Sequence, residues 1–184
     1  MNYYGAKELA ASFRTVRKNT IKIAEEIPED KYEFRATPDT RTVAQMLMHI
    51  ALALEVPEII HRTEKRTTME GFDFFSVFGR IQAEEAAARS KQEILQKLGE
   101  GGERFAGWLE TVPDDFLAER VGMPAGMPGG SKTRFEMLLS VKEHEMHHRA
   151  QLMVMERMVG IKPHLTRDME AMIAEFIKSR AQKA

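Results

Sequence analysis

Four long segments carry apolar residues at every third or fourth position, and this spacing constrains the fold more than any other feature of the chain. In the first segment, residues 6–27, the repeat runs through Leu9, Phe13, Val16, Thr20, Ile23 and Ile27. The other three segments begin at Thr42, Ser90 and Thr133, each followed three residues later by Gln or Glu, which is the pattern of a helix capping box. Because such a repeat gives a helix one apolar face to bury, the sequence predicts an all-α protein built as a four-helix bundle.

Helix-breaking residues and capping patterns predict where these helices end and what connects them. The second helix should run into the low sixties with a bend near Pro57, and the fourth should close at Gly160. Residues 66–89 read as an irregular crossover between helices 2 and 3 that either plugs one end of the bundle or joins a dimer contact. Residues 121–130 hold four glycines and two prolines and are predicted to be a surface loop. No segment has the alternation of a strand.

The chain is expected to form one bundle domain, residues 1–165, followed by an extra short C-terminal helix. That helix, residues 166–184, is predicted to begin after Thr166 and to pack on the bundle or on a partner subunit.

Composition limits the partners of this protein. A formal net charge of −1 and the lack of any Lys/Arg block argue against nucleic acid as a partner. No uninterrupted apolar run approaches the roughly 18 residues that span a membrane, and the first residues lack the pattern of a secretion signal, so a cytoplasmic location is expected. There is no cysteine, so any thiol in the chemistry must arrive with a substrate.

The richest chemical signal is a histidine stretch in the fourth helix, where His144 and His148 lie four residues apart. Successive helical residues are about 100° apart, so these two imidazoles lie one turn apart on one face, as half of a metal site. His49 is the best third ligand, because it should point inward from the second turn of its own helix. The inward stripe of the fourth helix is predicted to contain Met137, Val141, His144, His148, Gln151, Met155 and Met158.

The sequence predicts the roles of the residues around this histidine stretch less firmly. Gln151 falls within about 20° of His144 and should either hold a substrate or orient an imidazole. His147 points elsewhere and is predicted to flank the site. Glu145 and Arg149 have the spacing of an ion pair on a helix surface. The remaining candidates, His61 and His164, lie near helix ends in polar contexts and are given no role.

Residues 144–148 also satisfy the His-Glu-x-x-His pattern of zinc peptidases, in which Glu145 would be the general base. Glu170 has suitable spacing for a third ligand, but it lies beyond Pro163 in a separate helix. The chain also offers no strand to align a peptide substrate. The peptidase interpretation is therefore the weaker one.

Three blocks of sequence resemble one known family. The blocks at residues 34–49, 143–152 and 161–166 are similar to those of the DinB-like family over roughly residues 1–165. The resemblance implies a four-helix bundle with a long crossover, often assembled as a homodimer. It also implies a divalent metal, commonly zinc or nickel with iron, cobalt and manganese as further candidates, held by three histidines that match His49, His144 and His148.

The same resemblance suggests what the protein does. Relatives include metal-dependent transferases that use bacillithiol, mycothiol or glutathione, so the favoured prediction is a transferase acting on a low-molecular-weight thiol and a second small molecule. A metal ion would lower the pKa of the substrate thiol and hold the thiolate as a nucleophile. Two alternatives stay open at this point: a metal-dependent hydrolase, and a non-enzymatic, metal-stabilised binding or stress-response protein.

Overall fold

The computed structural model describes residues 4–126 and 129–182, most of which are helical. In chain order the elements are α1 (Ala6–Glu26), a 3-10 turn (Glu29–Lys31), α2 (Val43–Leu52), α3 (Glu55–Pro57), a π-helix (Glu58–Thr63), α4 (Phe74–Ala86), α5 (Lys91–Glu110), α6 (Asp114–Ala118), β1 (Arg120–Gly122), β2 (Ser131–Thr133), α7 (Arg134–Met158) and α8 (His164–Ala181). Met127 and Pro128 of the predicted surface loop lie outside the described residues.

Four long helical segments form the bundle: α1, α2 with its continuation through α3 and the π-helix, α5, and α7. Both α1 and α2 pack against α5 and α7, so α1 and α2 occupy opposite corners. The hydroxyls of Thr42, Ser90 and Thr133 each accept a hydrogen bond from the backbone N–H three residues later, as their capping boxes predicted. The predicted four-helix bundle with a long crossover between its second and third helices is confirmed.

In the part of the chain that the structure describes, the core contains three apolar clusters, of which the smallest is formed by Ile60, Met69, Phe72 and Val121 and the two larger ones lie in opposite halves of the bundle. One of the larger clusters includes Ile23, Leu47, Leu98 and Leu152, and the other includes Phe13, Phe105 and Leu138. Residues of both larger clusters come from α1, α5 and α7, so the same three helices build the core along its length.

A buried ion pair joins α1 to α7 at mid-length of the bundle. The Arg17 guanidinium donates from Nε to both carboxylate oxygens of Glu145, at 3.0 and 3.1 Å, and from Nη2 to Oε2 at 2.9 Å. Its Nη1 donates to the Leu98 carbonyl of α5 at 2.9 Å. The predicted surface pair between Glu145 and Arg149 is therefore wrong, because Glu145 faces the core and is only 2% exposed.

Gly102 makes room for this ion pair. A Cβ at that position would lie 2.8 Å from Arg17 Cγ, closer than side-chain atoms approach one another. The structure assigns the close approach to Gly102, where α5 meets the arginine side chain of α1.

Two parts predicted to be irregular are ordered elements. The crossover contains α4, whose first turn is capped by Asp73 accepting from the backbone N–H of Ser76 at 3.0 Å, and α4 packs on α2. Between α6 and α7, β1 and β2 form a two-stranded antiparallel ribbon with Arg120 opposite Thr133. The expectation that the chain has no strand is wrong, because three residues are too few to show an alternation.

The C-terminal helix begins two residues before its predicted start at Thr166 and is exposed along most of its length. It begins at His164, runs for 18 residues and contacts the bundle through α1 near its start. Five large apolar residues of this helix, which we call the α8 face, are about half exposed: Met169, Met172, Ile173, Phe176 and Ile177.

Among the described residues, Val43–Thr63 is a helical stretch long and apolar enough to cross a membrane by length and composition. Half of its most apolar window is buried inside the bundle, as for the core helix of a soluble protein.

Candidate metal centre

Three imidazoles meet in the groove between α2 and α7. Nε2 of His144 lies 3.2 Å from Nε2 of His49 and 3.1 Å from Nε2 of His148. One ligand atom from each ring lies within 4.8 Å of those of the other two. The three histidines that the sequence predicted to converge therefore do so, two from one turn of α7 and one from the facing helix.

Hydrogen bonds to the other ring nitrogens set the direction of two imidazoles. Nδ1 of His49 lies 2.9 Å from Oε2 of Glu85, and Nδ1 of His148 lies 2.8 Å from Oε1 of Gln151. A carboxylate or amide oxygen accepts a hydrogen bond, so each Nδ1 carries the proton. Each Nε2 then presents a lone pair toward Nε2 of His144.

This geometry fits a divalent cation. Metal–imidazole bonds are about 2.1 Å long, so two ligands at 90–109° from one ion lie about 3.0–3.4 Å apart. The observed spacings of 3.2 and 3.1 Å fall in this interval. Converging lone pairs repel one another unless a cation or a proton lies between them, and imidazole nitrogens suit zinc, nickel, copper and iron.

The surroundings keep the three rings neutral. Burial lowers the pKa of His49, His144 and His148, and for His144 burial together with the two neighbouring rings lowers the pKa to about 4. Near pH 7 the rings are therefore in the unprotonated form, which is the form that binds metal.

Glu85 is a residue of this site that the sequence did not single out. Its carboxylate also accepts a hydrogen bond from Nε of Arg41, so one acid links the loop before α2 to an imidazole of α2. Glu85 lies in α4, inside the segment predicted to be irregular, and no spacing rule connects it to His49. Only the packing of α4 on α2 brings the two together.

His147 and Gln151 form a chain that leads outward from the centre. Gln151 accepts from His148, and its Nε2 lies 3.3 Å from Nε2 of His147. His147 is exposed, and besides contacting Gln151 its ring lies edge to face with that of His148, with the ring centres 4.8 Å apart. Gln151 thus holds an imidazole, which is one of the two uses predicted for it.

The buried face of α7 differs from the predicted inward stripe. It contains Arg134, Leu138, Glu145, His148, Leu152, Met155 and Glu156, whereas Gln151 and Met158 are exposed. The stripe is displaced because charged residues occupy core positions that an apolar repeat cannot reveal.

The alternative peptidase geometry is not present. Glu145, the general base in that interpretation, is bound by Arg17 on another face of α7. Glu170 pairs with Lys162 at 2.8 Å in the region of α8, and it does not join the cluster of three histidines.

Two cavities adjoin the three imidazoles. The first, which we call the apolar cavity, has a volume of about 370 Å³ and is lined by His49 and His144 together with Val56, Ile60, Ile81 and Val141 among others. The second, the polar cleft, has a volume of about 720 Å³ and is lined by His148, Gln151, Glu85, Arg41, Gln45 and Gln82 among others. The rings therefore stand between an apolar and a polar space.

The two histidines given no role are buried, contrary to the polar setting predicted for them. His61 is 1% exposed and lines the apolar cavity, and its Nδ1 lies 3.1 Å from Nη1 of Arg134. His164 is 5% exposed at the start of α8 and is not one of the three converging histidines. Neither joins the cluster, but His61 faces the same cavity.

Solved structures share this fold. A DinB-like protein (YjoA) of Bacillus subtilis superposes with a TM-score of 0.62 at 19% identity, over 83% of this chain and 92% of that one. YfiT of Bacillus subtilis, described as a probable metal-dependent hydrolase with an unusual four-helix bundle topology, gives 0.65 at 15% identity, over 88% and 91%. A DinB-like protein of Bacillus cereus gives 0.61 at 18% identity, over 85% and 93%.

Sequence comparison identifies the family. Among proteins with curated descriptions none matches this chain at a significant level. The sequence profile of the DinB superfamily matches residues 12–152, which include most of each bundle helix and all three converging histidines. The chain therefore belongs to the DinB superfamily.

Proposed function

We propose that this protein binds a divalent metal ion, zinc or nickel, through His49, His144 and His148. We further propose that it is a metal-dependent transferase acting on a low-molecular-weight thiol. The observation that carries the metal proposal is the convergence of three Nε2 atoms, two of them fixed as lone-pair donors by Glu85 and Gln151.

The protein groups around the site have separable tasks. Glu85 and Gln151 hold two imidazoles in the ligating tautomer, and His147 supports Gln151 from the solvent side. When bound, a divalent cation would lower the pKa of a coordinated thiol or water and stabilise the resulting anion. Three protein ligands leave further coordination positions for substrate, as in catalytic rather than structural sites.

The two cavities favour a transferase. A thiol transferase must hold two reactants at one centre, and this centre has one space on each side. The polar cleft suits a thiol built on a sugar or peptide, because it offers amide, guanidinium and carboxylate groups. The apolar cavity suits the electrophile.

A hydrolase is the second candidate, and one observation favours it. YfiT, which shares this fold, is described as a probable metal-dependent hydrolase. A hydrolase needs space for one substrate and water, so the second cavity would have no assigned occupant.

Elemental analysis of the purified protein tests the metal proposal. Wild type should carry about one zinc or nickel per chain, and His49→Ala, His144→Ala and His148→Ala should each lose most of it. Met146→Ala is the matched control, because Met146 lies on the same helix, is 40% exposed and lines neither cavity. Metal content that survives all three histidine substitutions would reject the site.

Turnover tests the reaction. The metal-loaded protein should consume 1-chloro-2,4-dinitrobenzene only when bacillithiol, mycothiol or glutathione is present, and chelation should abolish the reaction. Hydrolysis of ester substrates without thiol would favour the hydrolase. A melting temperature that falls on chelation, with no turnover of any of these substrates, would identify the metal as structural.

We also propose that the α8 face pairs with a second copy of the chain. Five half-exposed large side chains offer roughly 100 Å² each, so two copies would bury about 1,000 Å², the lower bound of a specific interface. The first half of α8 carries Asp168 and Glu170 against Arg167, and the second half carries Lys178 and Arg180 against Glu175. The two halves therefore have opposite net charges, which antiparallel pairing brings together.

Light scattering after size exclusion tests this pairing. Wild type should have the mass of a dimer and Phe176→Glu that of a monomer, whereas Ala171→Glu, exposed on the opposite side of α8, should stay dimeric. A monomeric wild type would reject the proposal. The cytoplasmic location and the lack of a nucleic-acid partner stay predictions from composition.

A further inference from the structure

The apolar cavity contains an imidazole that the metal centre does not use. His61, at the π-helical end of the second bundle helix, lines the cavity together with His49 and His144. Nη1 of Arg134 lies 3.1 Å from Nδ1 of His61, and both residues are 1% exposed. A guanidinium can only donate hydrogen bonds, so Nδ1 must be the acceptor.

This contact fixes the tautomer of His61. If Nδ1 accepts, the proton of the neutral ring lies on Nε2. Burial and the charge of Arg134 lower the pKa of His61 to about 4, so the ring stays neutral at physiological pH. His61 is thus a permanent N–H donor.

Arg134 is itself held from two sides. Its Nε donates to Oε2 of Glu119 at 2.9 Å, and its guanidinium carbon lies 4.3 Å from the centre of the Phe116 ring. The guanidinium therefore cannot turn away from His61 without losing an ion pair and a ring contact, and the orientation of the imidazole is set in advance.

The rest of the cavity lining restricts what this donor can serve. Most of the lining residues are apolar, and Lys132 is the one charged residue among those lining residues that the structure describes. No carboxylate is there to balance a positive ligand. The cavity therefore suits an uncharged or anionic molecule with a large apolar part.

We propose that the apolar cavity binds the second substrate, a small apolar molecule with an acceptor oxygen such as a carbonyl or nitro group, and that His61 donates its Nε2–H to that oxygen. This inference rests on the proposed function, since it places the substrate beside the metal ligands His49 and His144. His61 acts as a substrate-binding donor. A neutral imidazole that polarises a substrate oxygen is a known use of this side chain.

A matched pair of probes tests the hydrogen bond. Acetophenone and ethylbenzene have nearly the same shape and differ by one carbonyl oxygen. Their dissociation constants are measured by NMR titration of the zinc-loaded protein and again after chelation. In His61→Phe the preference for acetophenone over ethylbenzene, given by the ratio of the two dissociation constants, should fall about 3- to 10-fold. This is the range expected for the loss of one neutral hydrogen bond.

Two further variants make the result specific. His61→Gln should restore the preference for acetophenone, because its amide can accept from Arg134 and still donate into the cavity. His164→Phe replaces a buried histidine outside the cavity and should leave the ratio unchanged. A ratio that is equal in wild type and His61→Phe would overturn the inference, and so would binding of neither probe.

Wild-type protein gives an independent readout if His61→Phe does not fold. The ring ¹⁵N shifts should show His61 protonated at Nε2 alone from pH 5 to 8, and acetophenone should shift that Nε2–H signal. A proton on Nδ1, or a carbonyl preference that disappears on chelation, would overturn the inference. Because the preference is also measured without metal, it can hold even if the protein proves to have no metal-dependent turnover.

Discussion

Removing the Glu145 carboxylate should destabilise the fold strongly and leave metal binding intact. In Glu145→Ala the guanidinium of Arg17 loses its three contacts with the carboxylate and keeps two backbone carbonyls, those of Leu98 at 2.9 Å and Ile50 at 3.5 Å. Arg17 is 4% exposed, so water cannot replace the lost partner without opening the bundle. Breaking one side of a buried pair costs about 3–5 kcal/mol.

That cost translates into a large thermal shift. For a domain of this size 1 kcal/mol changes the melting temperature by about 2–4 °C, so Glu145→Ala should melt roughly 10 °C lower. Thermal and urea denaturation followed by circular dichroism measure both quantities. Glu143→Ala, an exposed glutamate on the same helix, should change the free energy of unfolding by less than about 0.5 kcal/mol.

A double variant separates the loss of the pair from the loss of packing. Arg17→Met combined with Glu145→Leu removes both charges and fills the space, so it should recover most of the stability lost in Glu145→Ala. The reasoning is refuted if Glu145→Ala unfolds with a free energy within about 1 kcal/mol of wild type. A variant that is stable, keeps its metal and loses activity would instead revive the role of general base.

Three further predictions follow from single contacts. Gly102→Ala should lower the free energy of unfolding, measured in urea, by about 1–3 kcal/mol because its Cβ has no space. Gly99→Ala has open space around it and should raise that free energy by up to about 1 kcal/mol. Equal effects of the two substitutions would contradict the packing argument. Glu85→Gln should weaken zinc affinity about 10- to 100-fold in a competition titration by loosening an imidazole, and unchanged affinity would remove Glu85 from the site. Burial and the nearby Glu26 raise the pKa of Glu156 from 4.5 to about 7, so between these pH values the folded state keeps a proton that the unfolded state releases. The free energy of unfolding should therefore fall as pH rises across that interval. Glu156→Gln should remove this part of the pH dependence, and identical slopes of unfolding free energy against pH in the two proteins would refute it.

Local patterns were enough to predict the bundle and the three converging histidines. Capping boxes at Thr42, Ser90 and Thr133 fix where three helices start, and the apolar repeat shows that each of these helices has a face to bury. A spacing of four residues fixes the angle between His144 and His148 within one helix. These are relations between neighbours in sequence, so they hold before any tertiary contact forms.

The residues that sequence reasoning missed or placed wrongly depend on distant contacts. Glu85 reaches His49 across 36 residues, and Arg17 reaches Glu145 across 128. His61 was assigned to a polar setting because its neighbours in sequence are charged, yet Arg134, 73 residues away, binds it in the core. A charged residue beside an apolar repeat is predicted to lie on the surface unless its buried partner is known.

The amino-acid sequence alone therefore determined the four bundle helices, their order and the ring nitrogens that could meet, because helix geometry is set by short-range sterics and hydrogen bonds. Only the tertiary structure decided which charges are buried, which acid holds which imidazole, and where the two cavities lie. The physical reason is that a buried ionisable group is tolerated only with a partner, and that partner is supplied by packing rather than by proximity along the chain.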